Sequence, residues 1–128
     1  MEITRAYLDT HVVVWLYTGD KKKLSKRVQQ VVNIADLIVS PMVLLELQYM
    51  RDKRVIDVSP FEVFRELQKI LNITIAQTPF EKITPEAIAI GWTKDPFDRI
   101  IVAQSKFDGI DLLTKDRPIL KNYEKAIW

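Results

Sequence analysis

The chain has 128 residues, 48% hydrophobic and 28% charged, which suits one globular domain with a sizeable core and gives no reason to place an internal boundary. Its formal net charge of +2 decides little about partners, so where the charges sit matters more than their sum. There is no cysteine and one histidine, His11, which excludes disulfide scaffolds, thiol nucleophiles and the usual Cys/His zinc sites and leaves oxygen as the ligand type for any metal.

The opening MEITRAYLDT lacks the basic start and apolar run of a signal peptide, and no stretch approaches the roughly 20 apolar residues of a membrane span; a soluble, cytoplasmic protein is expected. RAYLD, Arg5 to Asp9, reads as a short strand, and THVVVWLYTGD turns at once into a helix that stops near Gly19, with Val12 to Val14, Trp15 and Tyr17 expected in the core. Ser25 caps an amphipathic helix with Val28, Val31, Val32 and Ala35 inward. LIVS, Leu37 to Ser40, is a brief buried strand, and Ser40 with Pro41 opens a helix through about Met50. Ser59 and Pro60 repeat that opening ahead of Phe64, Leu67 and Leu71, which are spaced for a core face. ITIAQ, Ile73 to Gln77, is a third strand; Pro85 begins a helix ending near Gly91; Asp95 and Pro96 start another that runs to Asp108; IDLLTKD supplies a fourth strand. Strands alternating with helices predict an α/β fold, a three-layer α/β/α sandwich around a short, mainly parallel sheet.

In such a sheet the strands deliver their C-terminal ends to one edge, and ligands bind outside it. Asp9 and Asp116 close the first and last of the expected strands there. A helix from Phe97 to Asp108 spans about 18 Å and the strand after Gly109 climbs back about 17 Å, so Asp98 and Asp116 are expected as neighbours. Glu46 lies less than two turns from the same edge, among apolar neighbours. Asp95 reads as the helix cap; Asp98, projected at about 100° per residue, falls between Ile101 and Val102 and points toward protein or a cleft.

Four carboxylates in one crevice repel by about 4 kcal/mol per pair at about 4 Å and an effective dielectric of about 20, which rivals a domain's whole stability of about 5 to 15 kcal/mol. Protons or a cation must compensate, and an all-oxygen donor set selects magnesium or manganese. Phosphodiester hydrolysis is the reaction class that such a site supports, without a serine, cysteine or histidine nucleophile. Thr10 and Thr114 flank two of the acids; they either orient carboxylates from the second row or serve as helix cap and strand-end residue.

The segments YLDTHVVVWLYTGD, VSPMVLLEL, DPFDRIIVAQSKFDGIDLLTKD and the closing IW resemble, in order and spacing, the PIN-domain ribonucleases, in particular the toxins of VapBC-type toxin–antitoxin pairs. The resemblance covers almost the whole chain, taken as a single PIN-like nuclease domain over 1–128. It implies an acidic metal cluster at Asp9, Glu46, Asp98 and Asp116, magnesium- or manganese-dependent endoribonuclease activity, a homodimer, and a cognate antitoxin covering the acidic cleft. Some relatives carry a histidine just before the DPxDR-like segment, where Trp92, Thr93 and Lys94 stand here.

An RNA-cleaving site also needs cations. Lys21, Lys22 and Lys23 either track an RNA backbone or form a solvated helix approach, and Arg99 and Lys115 are further candidates near the cleft. His11 reads as structural rather than as an acid–base group, and Trp92 as packing rather than stacking. A phosphoacceptor module using Asp57 would want paired acids on the first strand, and an aspartyl-phosphate hydrolase would want an acid where His11 stands. The closer alternatives are a free-standing RNA-processing nuclease of the same fold and a nonhydrolytic RNA- or protein-binding one.

Overall fold

Strand segments of two to four residues gain little from local propensity, so their order comes from pairing and from cover on both faces. The computed structural model describes residues 2–128. Strands β1 (Arg5–Leu8), β2 (Asp36–Val39), β3 (Thr74–Ile75), β4 (Asp111–Leu113) and β5 (Ala126–Ile127) form one sheet in the order β3-β2-β1-β4-β5, each neighbouring pair parallel. Helices α1 (Thr10–Thr18), α2 (Lys26–Ile34), α3 (Pro41–Asp52), α4 (Pro60–Leu71), α5 (Phe80–Ala89), α6 (Pro96–Asp108) and α7 (Arg117–Asn122) complete the α/β/α layers, with a 3-10 turn at Lys21–Lys23. No helix among the described residues is long and apolar enough to cross a membrane.

Helix starts follow side-chain chemistry. The hydroxyls of Ser25, Ser40 and Ser59 accept from the backbone N–H of Val28, Met42 and Phe61 at 3.1, 3.1 and 3.2 Å, each cap contributing about 0.5–2 kcal/mol. Gly109, at φ +68°, ends α6 in the left-handed region and turns the chain directly into β4. Inward-facing Leu8, Leu37, Leu112 and Leu113 of the sheet, with Leu47, Leu67, Ile101 and Ile119 of the helices, form the core; burying each such side chain is worth about 1.5–3 kcal/mol. The phenol of Tyr7 and the hydroxyl of Thr78 both donate to Asp108 at the end of α6, tying β1 and the segment after β3 to that helix.

Three expectations are corrected. Pro85 does not begin a helix but lies inside α5, which starts at Phe80; Pro85 and Glu81, whose carbonyl loses its helical partner, are both exposed residues, and the Thr84 hydroxyl ties the first turn to the Phe80 carbonyl at 2.9 Å. The third strand is Thr74–Ile75 rather than Ile73 to Gln77, because it pairs only with β2 at the sheet edge. Of the expected core run in α1, Val12 and Val13 are buried, whereas Val14, Trp15 and Tyr17 are only partly covered. Helix α7 and strand β5 have no counterpart among the elements expected from the sequence.

Chain order places the site. From β1 the sheet grows outward through β2 and β3 on one side, then resumes on the other with β4 and β5. The reversal lies between β1 and β4, whose carboxyl ends border the crevice where ligands bind in such sheets. Leu8 pairs with Leu113, so Asp9 and Thr114 emerge side by side, and the Asp9 N–H donates to the Leu113 carbonyl at 3.0 Å.

Candidate active site

Asp9 directly follows β1 and caps α1, and at this junction it is only 5% exposed. Its Oδ1 accepts from the Thr10 backbone N–H at 2.8 Å and its Oδ2 from the Thr114 hydroxyl at 2.6 Å. Burial nevertheless pushes its carboxyl above the usual range; the two hydrogen bonds and nearby His11 pull down, while Asp116 adds to the rise.

The fully buried threonines wire the cluster together. Thr114 donates to Asp9 while its Oγ1 accepts from the Asp116 backbone N–H at 3.0 Å, so one hydroxyl ties the Asp9 carboxylate to the backbone of Asp116. Thr10 donates to Oε1 of Glu46, which hangs from the second turn of α3. Burial raises the Glu46 carboxyl most, the Thr10 hydrogen bond opposes this, and the charges of Asp9 and Asp95 reinforce it. Asp116 caps α7 through Oδ1, which accepts from the Ile119 N–H at 3.1 Å.

Asp98 differs from the other three. Capping of α6 belongs to Asp95, whose Oδ1 accepts from the N–H groups of Phe97 at 2.8 Å and Asp98 at 3.2 Å. The half-buried Asp98 carboxyl is pushed from 3.8 up to about 7, first by burial and then by the charges of Asp95, Asp9, Asp116 and Glu46, all acting in one direction. All four sequence-predicted acids therefore share one electrostatic field, and Asp95, read from the sequence as a cap, caps and also adds a fifth charge to it. Among the described residues no three of these side chains stand close enough to hold one ion as placed. Glu46 is turned toward Thr10 and Asp116 toward its helix start, and unbalanced carboxylates repel.

The donor set fits a hard divalent cation. Carboxylate oxygens are the ligands magnesium and manganese favour, magnesium needs only one or two of them because it keeps water, and the field on Asp98 is one that such a charge would relieve. A cleft of about 540 Å³ adjoins the acids, lined by His11, Glu46, Tyr49, Lys53, Asp95 and Phe97 among others. A second groove of about 310 Å³, between Met42, Leu45, Phe80 and Ile83, has no ionisable lining residue and lies apart from this chemistry.

The expected cations scatter. Arg99 is half-buried and donates through Nε to the Thr93 carbonyl at 2.8 Å, pinning the loop before α6. Lys21, Lys22 and Lys23 are exposed in the 3-10 turn. Lys115 is exposed beside Asp116, its ammonium 5.9 Å from the ring centre of Trp15. His11 is exposed at the cleft, its ring 6.0 Å from that of Trp15, and Trp92 packs against the core. The sequence reading missed the grouping of Trp15 with Trp128, for which two distant tryptophans gave no signal until β5 was placed.

Comparison with known proteins adds independent findings. The family model described as PIN domain matches residues 6–125. Ribonuclease VapC22 of Mycobacterium tuberculosis is 30% identical over 118 residues, covering 90% of this chain and 89% of that protein. Among solved structures, VapBC2 from Rickettsia felis bound to a promoter DNA fragment superposes with a TM-score of 0.69 at 16% identity, covering 98% of each chain. A toxin–antitoxin complex from Klebsiella pneumoniae superposes with a TM-score of 0.66 at 15% identity, covering 96% of each chain. At those identities the superpositions speak for the fold alone.

Proposed function

Because the chain belongs to the PIN-domain family, we propose that it is a magnesium- or manganese-dependent endoribonuclease, the toxin of a VapBC-type toxin–antitoxin pair, with 1–128 acting as one nuclease domain in the cytoplasm. The observation that carries the reading is Asp98: a half-buried carboxyl raised by burial and by the charges of four other carboxylates. A protein gains nothing in stability from such a cluster, so its use lies in what the cluster attracts.

Asp9, Glu46, Asp98 and Asp116 would hold the ion. When bound, it supplies a hard positive charge that makes water more acidic and offsets charge on the phosphate. The chain's own residues do the positioning. Thr114 sets Asp9 against Asp116, and Thr10 fixes Glu46. Hydrolysis joins a water oxygen to phosphorus and breaks a phosphorus–ribose oxygen bond, so one proton must leave the water and one must reach the departing oxygen. Burial favours the protonated forms of Glu46 and Asp98 in the ion-free site, and a bound cation would favour their carboxylates instead. We further propose a homodimer and a cognate antitoxin that covers the acidic cleft, as the resemblance to VapBC-type toxins implies.

The test is cleavage of RNA with added magnesium or manganese, comparing the intact chain with Asp9→Asn and Asp98→Asn, with and without EDTA. Cleavage confined to the intact, metal-supplied chain supports the assignment. Equal, EDTA-insensitive cleavage in all three, or none in any, overturns it in favour of a nonhydrolytic binding role.

A further inference from the structure

Trp15 sits in the second turn of α1 and Trp128 follows β5, yet the fold brings their rings edge to face, with centroids 5.8 Å apart at 63°. Both remain partly exposed. Lys115 holds its ammonium 5.9 Å from the ring centre of Trp15 and 6.0 Å from that of Trp128, and Lys23 holds its own 5.7 Å from Trp15. His11, which lines the acid cleft, has its ring 6.0 Å from that of Trp15 at a tilt of 48°. A continuous row therefore leads from the carboxylates through His11 to two indoles and two ammonium groups.

For the fold alone this arrangement is poor value: two like charges converge on one pair of rings, and contacts at partly exposed rings are weak. For an incoming anion it is well made, because both lysines are exposed and set their ammonium groups beside the rings. An RNA strand must also overcome the repulsion of four carboxylates to reach the crevice, and Lys115 adjoins one of them in sequence.

Resting on the ribonuclease reading above, we propose that Lys23, Trp15, Lys115 and Trp128 form a binding subsite for an unpaired RNA segment next to the cleaved phosphodiester, with the lysines on backbone phosphates and Trp128 against a base. Stacking on an indole accepts any base, and an RNA helix hides its base faces, so the subsite selects single strands without selecting sequence.

The experiment measures binding of a short fluorescein-labelled single-stranded oligoribonucleotide to the full chain carrying Asp98→Asn, without added divalent ion, so that no cleavage intervenes. Trp128→Leu should weaken binding about tenfold, with part of the loss restored by Trp128→Phe. Lys115→Ala should weaken binding and lower the salt dependence by about 0.7 in logarithmic slope, with Lys115→Arg restoring both. Lys115 is exposed, so its alanine variant keeps the fold, and circular dichroism checks the rest. Unchanged affinity and slope in folded Lys115→Ala and Trp128→Leu overturns the proposal. Polyglutamate serves as a second probe in the same assay, and a loss in these variants confined to polyglutamate, with RNA binding unchanged, also overturns the proposal and assigns the surface to an acidic protein partner. Binding is read in a cleavage-deficient background, so failure here is distinct from failure of the cleavage test.

Discussion

Asp98→Asn replaces a charge that the fold resists with a neutral group of the same size. The unfolded chain releases this proton near 3.8 and the folded chain near 7. At about 1.36 kcal/mol per pH unit the cost of ionising Asp98 in the fold has a ceiling of about 4 kcal/mol, and because the side chain is only half-buried, solvent screening brings the expectation to about 2 kcal/mol. Between those two values the folded state binds more protons than the unfolded state, so stability falls as pH rises from about 4 to about 7 and stays low above. Urea unfolding of the metal-free proteins should therefore show Asp98→Asn equal to the parent near pH 4 and more stable by about 2 kcal/mol at pH 8. Added magnesium should close that gap by stabilising the parent alone. A variant less stable than the parent by the same amount at both pH values would refute the reasoning and make Asp98 a helix-start residue held by the dipole.

Two further substitutions separate site from scaffold. Thr114→Val leaves the buried Asp9 carboxylate and the Asp116 N–H without their shared hydroxyl; unfolding should show a loss of about 1–3 kcal/mol, and cleavage should fall about 10- to 100-fold, with Thr114→Ser restoring both. Tyr7→Phe removes one of the two hydroxyls on Asp108 at the far end of α6; it should cost about 1–3 kcal/mol in unfolding while leaving the cleavage rate of the folded protein unchanged.

Helix starts were legible wherever a serine preceded a proline, because cap and ring act locally and the structure keeps both at Ser40 and Ser59. Pro85 misled for the complementary reason: a proline is also tolerated within a helix when its face is exposed, and exposure is a tertiary fact. The segments RPILKN and AI are too short to show a period; β5 follows from pairing with β4, and α7 from its Asp116 cap. Missing β5 meant missing Trp128 as the neighbour of Trp15, which in turn read as core. That Asp9, Asp116 and Glu46 act on Asp98 follows the expectation that strand ends and helix starts meet at one edge, although no three of the four side chains close on a single point. The bridges by Thr10 and Thr114 depend on the register of Leu8 with Leu113 and on how α3 leans, neither of which the residue order specifies.

A crystal of the intact chain soaked in manganese, with anomalous difference maps, asks the central question in one step. The account predicts an ion in the crevice bonded to at least one of Asp9, Glu46, Asp98 and Asp116, with the others reached directly or through one water. Manganese bound elsewhere at saturating concentration, with these four carboxylates left as they stand, would contradict it.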